Sequence, residues 1–134
     1  MGDCIFCKII AGEIPCFKVY EDEVFVAILD RFPATAGTVL ILTKSHAEDI
    51  FALSDAEALG IMPLAKRVAE KIKIALKPDG VNILQNNGVS AGQEIFHYHM
   101  HIIPRYKGDD IRFKKPPTDP PLDALGKMAE LLKI

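Results

Sequence analysis

The segment EIFHYHMHIIPR, residues 94–105, holds three of the four histidines of the chain, at positions 97, 99 and 101. Successive side chains of a β-strand point to opposite faces, so the three imidazoles are expected on one face, with neighbours about 6.6 Å apart. The alternating residues would then fill an apolar core: Phe96, Tyr98, Met100 and Ile102. This spacing predicts a strand with one hydrophobic side and one chemically reactive side.

The segments before this strand are expected to complete a sheet. Runs rich in β-branched and apolar residues predict a hairpin at 17–30 (FKVYEDEVFVAILD) and strands at 37–43 (GTVLILT) and 81–86 (VNILQN). Residues 4–15 (CIFCKIIAGEIP) are predicted to form a short helix that closes at Gly12. Ser54 and Glu57 form an S-x-x-E capping box, which predicts the start of a long helix that ends before Lys77.

Together these elements predict one α+β domain over residues 1–134, with a mostly antiparallel five-stranded sheet, one long helix, one short helix and a C-terminal helix. The last helix is expected in the tail, residues 117–134, after a proline-rich loop. The long helix carries a wide apolar stripe, which is expected to cover the sheet and in part to meet a second subunit. The stripe comprises Ala58, Ile61, Met62, Leu64, Ala65, Val68, Ala69, Ile72 and Leu76.

Composition narrows the class of protein. The 134 residues are 49% hydrophobic and carry a formal net charge of −2, which argues against disorder and against a nucleic-acid partner. No apolar run approaches the roughly 20 residues that cross a bilayer, and no signal-peptide pattern opens the chain, so no membrane partner is expected. Three cysteines, two of them in CIFC, do not resemble a disulfide framework and indicate a cytoplasmic setting.

Three interpretations of the histidine pattern imply different chemistry. A solvated strand face would use the imidazoles only as polar groups, whereas a metal site would use them as ligands of Zn²⁺. Covalent phosphoryl chemistry would use one neutral imidazole as nucleophile and a second to protonate the leaving group. The preceding loop, QNNGVSAGQ, offers Gly88 and Gly92 for close backbone approach and N–H groups for phosphate oxygens, which favours phosphoryl chemistry.

The CIFC motif at residues 4–7 fits a zinc site, a redox pair or two structural cysteines. A redox pair usually lies at a strand-to-helix turn, and no strand is predicted before Cys4. A zinc site needs four ligands, of which the motif supplies two.

In its motifs the chain resembles the histidine-triad family of nucleotide hydrolases and transferases, whose signature is His-φ-His-φ-His-φ-φ with φ apolar. HYHMHII matches this signature, and CIFCKIIAGEIP, VYEDE, AILD, NNGVSAGQ and HYHMHIIPR follow in the family's order. The resemblance is strongest to bacterial or archaeal nucleoside phosphoramidate hydrolases. It implies the histidine-triad fold, a homodimer, and hydrolysis of the phosphorus–nitrogen bond of a purine nucleoside phosphoramidate, with release of a nucleotide such as AMP.

The resemblance also implies a role for each site residue. His99 would attack the α-phosphorus and form a nucleotidyl-histidine, His101 would contact the phosphate and assist the leaving group, and His97 would orient the site. The nucleotide would be bound by a phosphate loop, a carboxylate at the ribose and an apolar base pocket. These correspond in turn to Asn86, Gly92, Gln93 and Glu94, to Asp30, and to Ile5, Phe6 and Ile28.

In bacterial members of the family, a Cys-x-x-Cys pair is joined by the His of a KSH motif and by the first triad histidine. The resemblance therefore implies a structural zinc and no organic cofactor, with Cys4, Cys7, His46 and His97 as the zinc ligands. Such a closed site would attach the N-terminal segment to the histidine strand and would not activate water.

One departure from the family and several alternatives stay open at this point. Glu94 stands where many phosphoramidate hydrolases carry Ser, and a carboxylate donates a hydrogen bond only when protonated, so the leaving-group preference is open. Alternative functions are a dinucleoside polyphosphate hydrolase, a nucleotide-binding regulatory protein with incidental turnover, and a zinc hydrolase with the triad as ligands. Uridylyl transfer is disfavoured because that branch has Gln at the position of His101.

Overall fold

Five strands form one antiparallel sheet in the computed structural model, which describes residues 2–115 and 117–134. In chain order the elements are α1 (Ile5–Ile10), β1 (Lys18–Glu21), β2 (Phe25–Leu29), β3 (Val39–Thr43), α2 (Asp55–Leu76), β4 (Gly80–Gln85), β5 (His99–Arg105) and α3 (Leu122–Leu132). A single 3₁₀ turn, Val89–Ala91, lies between β4 and β5. The predicted α+β class, the five-stranded sheet and the short, long and C-terminal helices are confirmed.

The sheet order, β1-β2-β3-β5-β4, places the histidine strand β5 inside the sheet. On β3, Leu42 pairs with His99 and Leu40 pairs with His101, while on β4 Leu84 pairs with His101. Directly opposed residues share a face of an antiparallel sheet, so both histidines lie on the face that carries Leu40 and Leu42. Pairing along both edges of β5 thus fixes where the two imidazoles stand.

Apolar side chains pack on both faces of the sheet. α2 covers one face, where its buried residues contact a sheet cluster that includes Ala27, Val39, Ile41, Tyr98, Met100 and Ile102. The opposite face carries a smaller cluster of Phe6, Val26, Ile28, Leu40 and Leu42. Burial of one such side chain contributes about 1.5–3 kcal/mol. The smaller cluster forms the apolar floor of the histidine face, and α1 delivers Phe6 to it.

The long helix begins at the capping box that the sequence predicts. Ser54 Oγ accepts a hydrogen bond from the N–H of Glu57 at 3.2 Å, and the Glu57 carboxylate accepts one from the N–H of Ser54 at 3.0 Å. Five residues of the predicted stripe are buried against the sheet, whereas Met62 is 51% exposed and Leu76 is also exposed. The predicted stripe therefore splits into a core face and a solvent face.

The sequence prediction is wrong at the start of the histidine strand. β5 begins at His99 rather than at Phe96, because the N–H of Tyr98 donates to the carbonyl of Ala47 at 2.6 Å and takes no part in the ladder. Phe96, expected in the core, is 39% exposed, while Tyr98 is buried as predicted. His97 consequently lies outside the strand.

The C-terminal helix α3 is amphipathic and exposed along its whole length. Its apolar residues include Leu122, Leu125, Met128 and Leu132. Within residues 2–115 and 117–134, no helix is both long enough and apolar enough to cross a membrane.

Candidate active site

His99 and His101 stand side by side on β5. Their ring centroids are 4.9 Å apart and their planes are inclined by 57°. His99 is 8% exposed and His101 is half-buried. Two imidazoles at this distance can act on one small group, which is the arrangement expected from the alternating spacing.

A backbone contact fixes the tautomer of His99. Its Nδ1 lies 2.7 Å from the carbonyl oxygen of His97. A carbonyl oxygen only accepts hydrogen bonds, so the proton of the neutral ring resides on Nδ1 and the lone pair on Nε2. His99 therefore carries a nucleophilic nitrogen at Nε2.

Electrostatics favour the neutral form of both rings. Burial lowers the pKa of His99; the hydrogen bond to the His97 carbonyl opposes this shift, nearby His101 adds to it, and Asp30 opposes it. Burial likewise lowers the pKa of His101, against the charges of Asp30 and Glu94. Because the ordinary pKa of histidine is about 6.5, both rings are neutral near pH 7. A neutral imidazole is the form that attacks phosphorus.

Asp30 lies just after β2 and is held by backbone bonds. Its Oδ1 accepts from the N–H of Phe32 at 3.0 Å, and its own N–H donates to the carbonyl of Thr38 at 2.9 Å. The half-buried carboxylate raises the pKa of both His99 and His101, so its charge is felt at the histidine pair. The structure thus brings this predicted ribose ligand to the same site.

Residues 86–94, here called the glycine loop, follow β4 and precede the histidine segment. Gly88 and Gly92 adopt φ values of 91° and 90°, a conformation that other residues rarely take. A Cβ on Gly92 would lie 3.3 Å from Nδ2 of Asn86, which donates to the Gly92 carbonyl at 3.3 Å. Both glycines are therefore required by backbone conformation, and Asn86 closes the loop on itself.

Gln93 and Glu94, at the end of the glycine loop, have different surroundings. Gln93 is buried, and its side-chain amide hydrogen-bonds to three backbone groups of the protein. Glu94 is exposed, and its charge raises the pKa of His101. Of the two predicted ligands, Glu94 is the one coupled to the histidine pair through its charge.

Three apolar residues were predicted to line a base pocket, and two of them lie together. Phe6 and Ile28 are buried in the cluster on the histidine face. The ring of Phe6 contacts His99 edge-on at a centroid distance of 4.9 Å and His97 at 5.9 Å. Ile5, on the exposed side of α1, is not part of this cluster.

A second group of side chains, next to the first, has the composition of a metal site. One ligand atom from each of Cys4, Cys7, His46 and His97 lies within 4.8 Å of all the others. Nδ1 of His97 is 3.2 Å from Nδ1 of His46 and 3.4 Å from Sγ of Cys4, and Sγ of Cys7 is 3.3 Å from Nδ1 of His46. Tetrahedral Zn²⁺ with bonds of about 2.0–2.3 Å requires ligand separations of about 3.3–3.8 Å. The separations of His97 from the other three ligand atoms, and of Cys7 from His46, match this geometry.

His97 is prepared as a ligand by a residue that the sequence analysis missed. Its Nε2 lies 2.7 Å from the carbonyl oxygen of Thr43, so Nε2 carries the proton and Nδ1 presents its lone pair to the cysteines. The missed partner acts through its backbone, and a backbone carbonyl has no signature in the sequence. His97 therefore faces the cysteine cluster and positions His99 only through its own carbonyl.

Comparison with known proteins gives a consistent result. The family model for the HIT domain matches residues 11–108. The protein named hit of Bacillus subtilis is 50% identical over 108 residues, which cover 80% of this chain and 74% of that protein. The adenosine 5′-monophosphoramidase of Schizosaccharomyces pombe is 44% identical over 102 residues, which cover 76% of this chain and 74% of that protein. An adenylylsulfatase of Arabidopsis thaliana is 42% identical over 108 residues, covering 81% and 55%.

Solved structures agree with the sequence relatives. A member of the HIT family from Bacillus subtilis superposes with a TM-score of 0.89 at 41% identity, over 97% of this chain and 94% of that one. A zinc-bound histidine triad family protein from Mycobacterium smegmatis gives a TM-score of 0.78 at 36% identity, over 87% and 85%. Fold and sequence therefore agree on one family.

Proposed function

Because the chain belongs to the HIT-domain family, we propose that it hydrolyses the phosphorus–nitrogen bond of purine nucleoside phosphoramidates through a nucleotidyl-histidine intermediate. The observation that carries this proposal is the hydrogen bond from His99 Nδ1 to the His97 carbonyl, which leaves a nucleophilic Nε2 beside His101. Relatives named as an adenosine 5′-monophosphoramidase and an adenylylsulfatase support an adenosine nucleotide derivative as the substrate class.

The proposed reaction has two displacements at phosphorus. In the first, Nε2 of His99 forms a bond to the α-phosphorus, the bond from phosphorus to the leaving nitrogen breaks, and protonated His101 gives its proton to that nitrogen. The phosphate of the bound nucleotide joins Asp30 and Glu94 in favouring protonated His101. In the second, a water oxygen attacks phosphorus, the bond to His99 breaks, and a water proton returns to His101. The products are a nucleoside monophosphate and an amine.

We assign the nucleotide contacts to the elements around the histidine pair. The glycine loop supplies phosphate contacts from Asn86, from Gly92, from the backbone near Gln93 and from the backbone N–H of Glu94. Asp30 accepts hydrogen bonds from the ribose hydroxyls. The base packs on the apolar floor, with Phe6, Ile28 and, at its outer edge, Ile5. These assignments are supported by the charge effects of Asp30 and Glu94 on the histidine pair and by the burial of Phe6 and Ile28 in the cluster on the histidine face.

Zinc in the cysteine cluster is the second part of the proposal. Cys4, Cys7, His46 and His97 would hold it as a closed four-ligand site, and the zinc-bound relative from Mycobacterium smegmatis supports this metal. When bound, zinc supplies a cross-link between the N-terminal segment and the residues beside β5, because a closed tetrahedral site leaves no position for water. Catalysis at His99 then proceeds without metal chemistry.

A homodimer is proposed from one exposed surface. β4 is an edge strand, and an apolar groove of about 870 Å³ lies between it and α2. Met62, Ala69, Val81 and Ile83 line this groove, with Lys66, Glu70 and Lys73 at its rim. A second copy that pairs with the edge of β4 and packs on the solvent face of α2 would cover both.

The three cysteines, free in the structure, support the proposed cytoplasmic location.

The decisive experiment measures AMP release from an adenosine phosphoramidate by wild type and His99→Ala, each with and without a chelator. We expect turnover that survives chelation and is lost in His99→Ala. Rapid quenching should then trap a nucleotidyl adduct on His99. Loss of turnover on chelation, in a protein that stays folded, would instead make the triad a catalytic metal site. Cleavage of dinucleoside polyphosphates alone would move the substrate to that class.

A further inference from the structure

The side chain of Gln93 is buried and fully engaged inside the protein. It is 3% exposed, and its Oε1 accepts from the N–H of Gly88 at 2.7 Å. Its Nε2 donates to the carbonyls of Glu48 at 2.7 Å and Ile95 at 3.2 Å. The backbone N–H of Gln93 donates to the Gly88 carbonyl at 3.1 Å. All three N–H donors of this residue are therefore used before any substrate binds.

The partners of Gln93 belong to two different loops. Gly88 lies in the glycine loop, while Glu48 belongs to residues 44–50, here called the His46 loop because it carries that cysteine-cluster residue. Two further hydrogen bonds join the His46 loop to other residues, one to the glycine loop and one to the segment that follows it. The N–H of Ile50 donates to Oδ1 of Asn87 at 2.8 Å, and the N–H of Tyr98 donates to the carbonyl of Ala47 at 2.6 Å.

These three bonds tie the His46 loop to residues 87–98, which connect β4 to β5. Ala47 and Tyr98 each lie one residue from a cluster histidine, His46 and His97 respectively. Gln93 itself lies in the glycine loop, and its side chain also bonds to Gly88, five residues earlier in the same loop. One hydrogen-bond network thus connects the cysteine cluster to the glycine loop, and the buried side chain of Gln93 lies at its centre.

We propose that Gln93 is a positioning residue that locks the His46 loop to the glycine loop, so that the geometry of the cysteine cluster and of the catalytic site depend on each other. A direct contact from the Gln93 side chain to substrate would first have to break its bonds to Glu48 and Ile95. That exchange would break two hydrogen bonds of a side chain that is 3% exposed, which is unfavourable. The part of this inference that concerns turnover rests on the function proposed above; the part that concerns the two loops does not.

The test compares Gln93→Met, which keeps the length and removes every side-chain hydrogen bond, with Asn86→Ala as a control. Asn86 lies in the glycine loop, but its amide bonds to Gly92 and not to the His46 loop. Each protein is loaded with Co²⁺, which reports ligand geometry through its visible absorption, and metal affinity is measured by chelator competition. We expect Gln93→Met to change the Co²⁺ spectrum and to weaken metal binding about tenfold or more. Asn86→Ala should leave both unchanged.

Kinetics of AMP release provide a second readout. As a positioning residue, Gln93 should affect kcat more than the Kd for AMP, whereas a phosphate ligand should weaken AMP binding. Should Gln93→Met fail to fold, Asn87→Ala removes the parallel bond from Ile50 at a half-buried position and should shift the Co²⁺ spectrum in the same direction. Weaker AMP binding in Gln93→Met with an unchanged Co²⁺ spectrum and metal affinity would overturn the proposal.

Hydrogen exchange separates this inference from the metal and the activity. If wild type binds no Co²⁺ or releases no AMP, the corresponding part of the proposed function fails, and amide exchange still decides the coupling between the loops. Faster exchange across residues 47–50 in Gln93→Met, as well as across 88–95, would support it. Faster exchange confined to residues 88–95 would contradict it.

Discussion

Phe6 packs edge-on against His99, with ring centroids 4.9 Å apart and planes inclined by 68°. Phe6 stands between Cys4 and Cys7 in the sequence, so the segment that carries two residues of the cysteine cluster also shields the proposed nucleophile from water. Burial is the largest cause of the lowered pKa of His99. The packing of α1 therefore helps to lower the pKa of the catalytic imidazole.

Replacement of Phe6 tests this contact. Phe6→Ala should lower the free energy of unfolding by about 3–5 kcal/mol, because a buried aromatic ring is lost. It should also raise the pKa of His99 toward 6.5, since water gains access to the ring. Urea unfolding and an NMR titration measure the two effects. Phe32→Ala, at an exposed aromatic residue, should change neither quantity, and a His99 pKa that stays low in Phe6→Ala would refute the shielding role.

The negative charge of Glu94 should influence the pKa of His101. Its carboxylate raises the pKa of His101, so Glu94→Gln should lower that pKa further. Because His101 must be protonated to release the leaving group, the alkaline limb of the activity profile should shift to lower pH. An NMR titration of His101 and the pH dependence of kcat/KM measure this. Glu23→Gln, on the exposed turn between β1 and β2, is the matched control. An unmoved His101 pKa in Glu94→Gln would show that Glu94 has no electrostatic role at the pair.

Stability should fall at acid pH in part because of His101. Its pKa in the folded protein is lower than the value near 6.5 of the unfolded chain, so between these values the unfolded state binds more protons. The contribution of His101 is complete above about pH 6.5 and is lost as pH falls through the folded-state pKa. Urea unfolding at pH 7.5 and pH 5 should show a smaller pH-dependent loss in His101→Gln than in wild type. An equal loss in both would be the contrary result.

Removal of zinc should lower the thermal stability of the protein without abolishing hydrolysis. A ligand that binds only the folded state stabilises it by about 2.7 kcal/mol at a free concentration 100 times its Kd. The Tm should therefore rise with free zinc in wild type and not in Cys7→Ser. Cys16→Ser is the control, because Cys16 is not in the cysteine cluster. A Tm that ignores zinc in wild type would argue against the metal.

The exposed groove beside β4 makes the oligomeric state testable. Ile83 lines this groove and is 43% exposed, so Ile83→Asp should bring a charge into the proposed subunit contact and dissociate the dimer. Analytical ultracentrifugation over a range of concentrations measures the change. Val24→Asp, at the turn before β2, should leave the association unchanged. A wild-type protein that is monomeric at all concentrations would refute the proposed homodimer.

Local patterns predicted much of the architecture because they are set by nearby residues. The Ser54–Glu57 capping box and the alternation of Tyr98, His99, Met100 and His101 both appear in the structure as expected. Long-range hydrogen bonds could not be predicted in the same way. Tyr98 leaves the ladder because the carbonyl of Ala47 reaches its N–H, and no property of the side chains of 96–98 signals that competition.

The candidate site shows the same division. The sequence identifies the imidazoles, the glycines and the thiols, since their side chains carry the chemistry. It does not reveal that hydrogen bonds to the carbonyls of Thr43 and His97 determine the tautomers of His97 and His99. Nor does it reveal that the side chain of Gln93 donates to the carbonyl of Glu48. Backbone acceptors are common to every residue, so their positions become known only from the folded chain.

The cysteine cluster also has a consequence for the order of folding. It brings Cys4 to His97 across 93 positions of the chain. Closing so long a loop costs more conformational entropy than forming the β1–β2 hairpin or α2, and topology of this kind slows folding. The N-terminal segment is therefore expected to dock late, after β5 has paired with β3 and β4. Until it docks, the sheet can be complete while His99 lacks the ring of Phe6, so the protein would gain its shape before its reactivity.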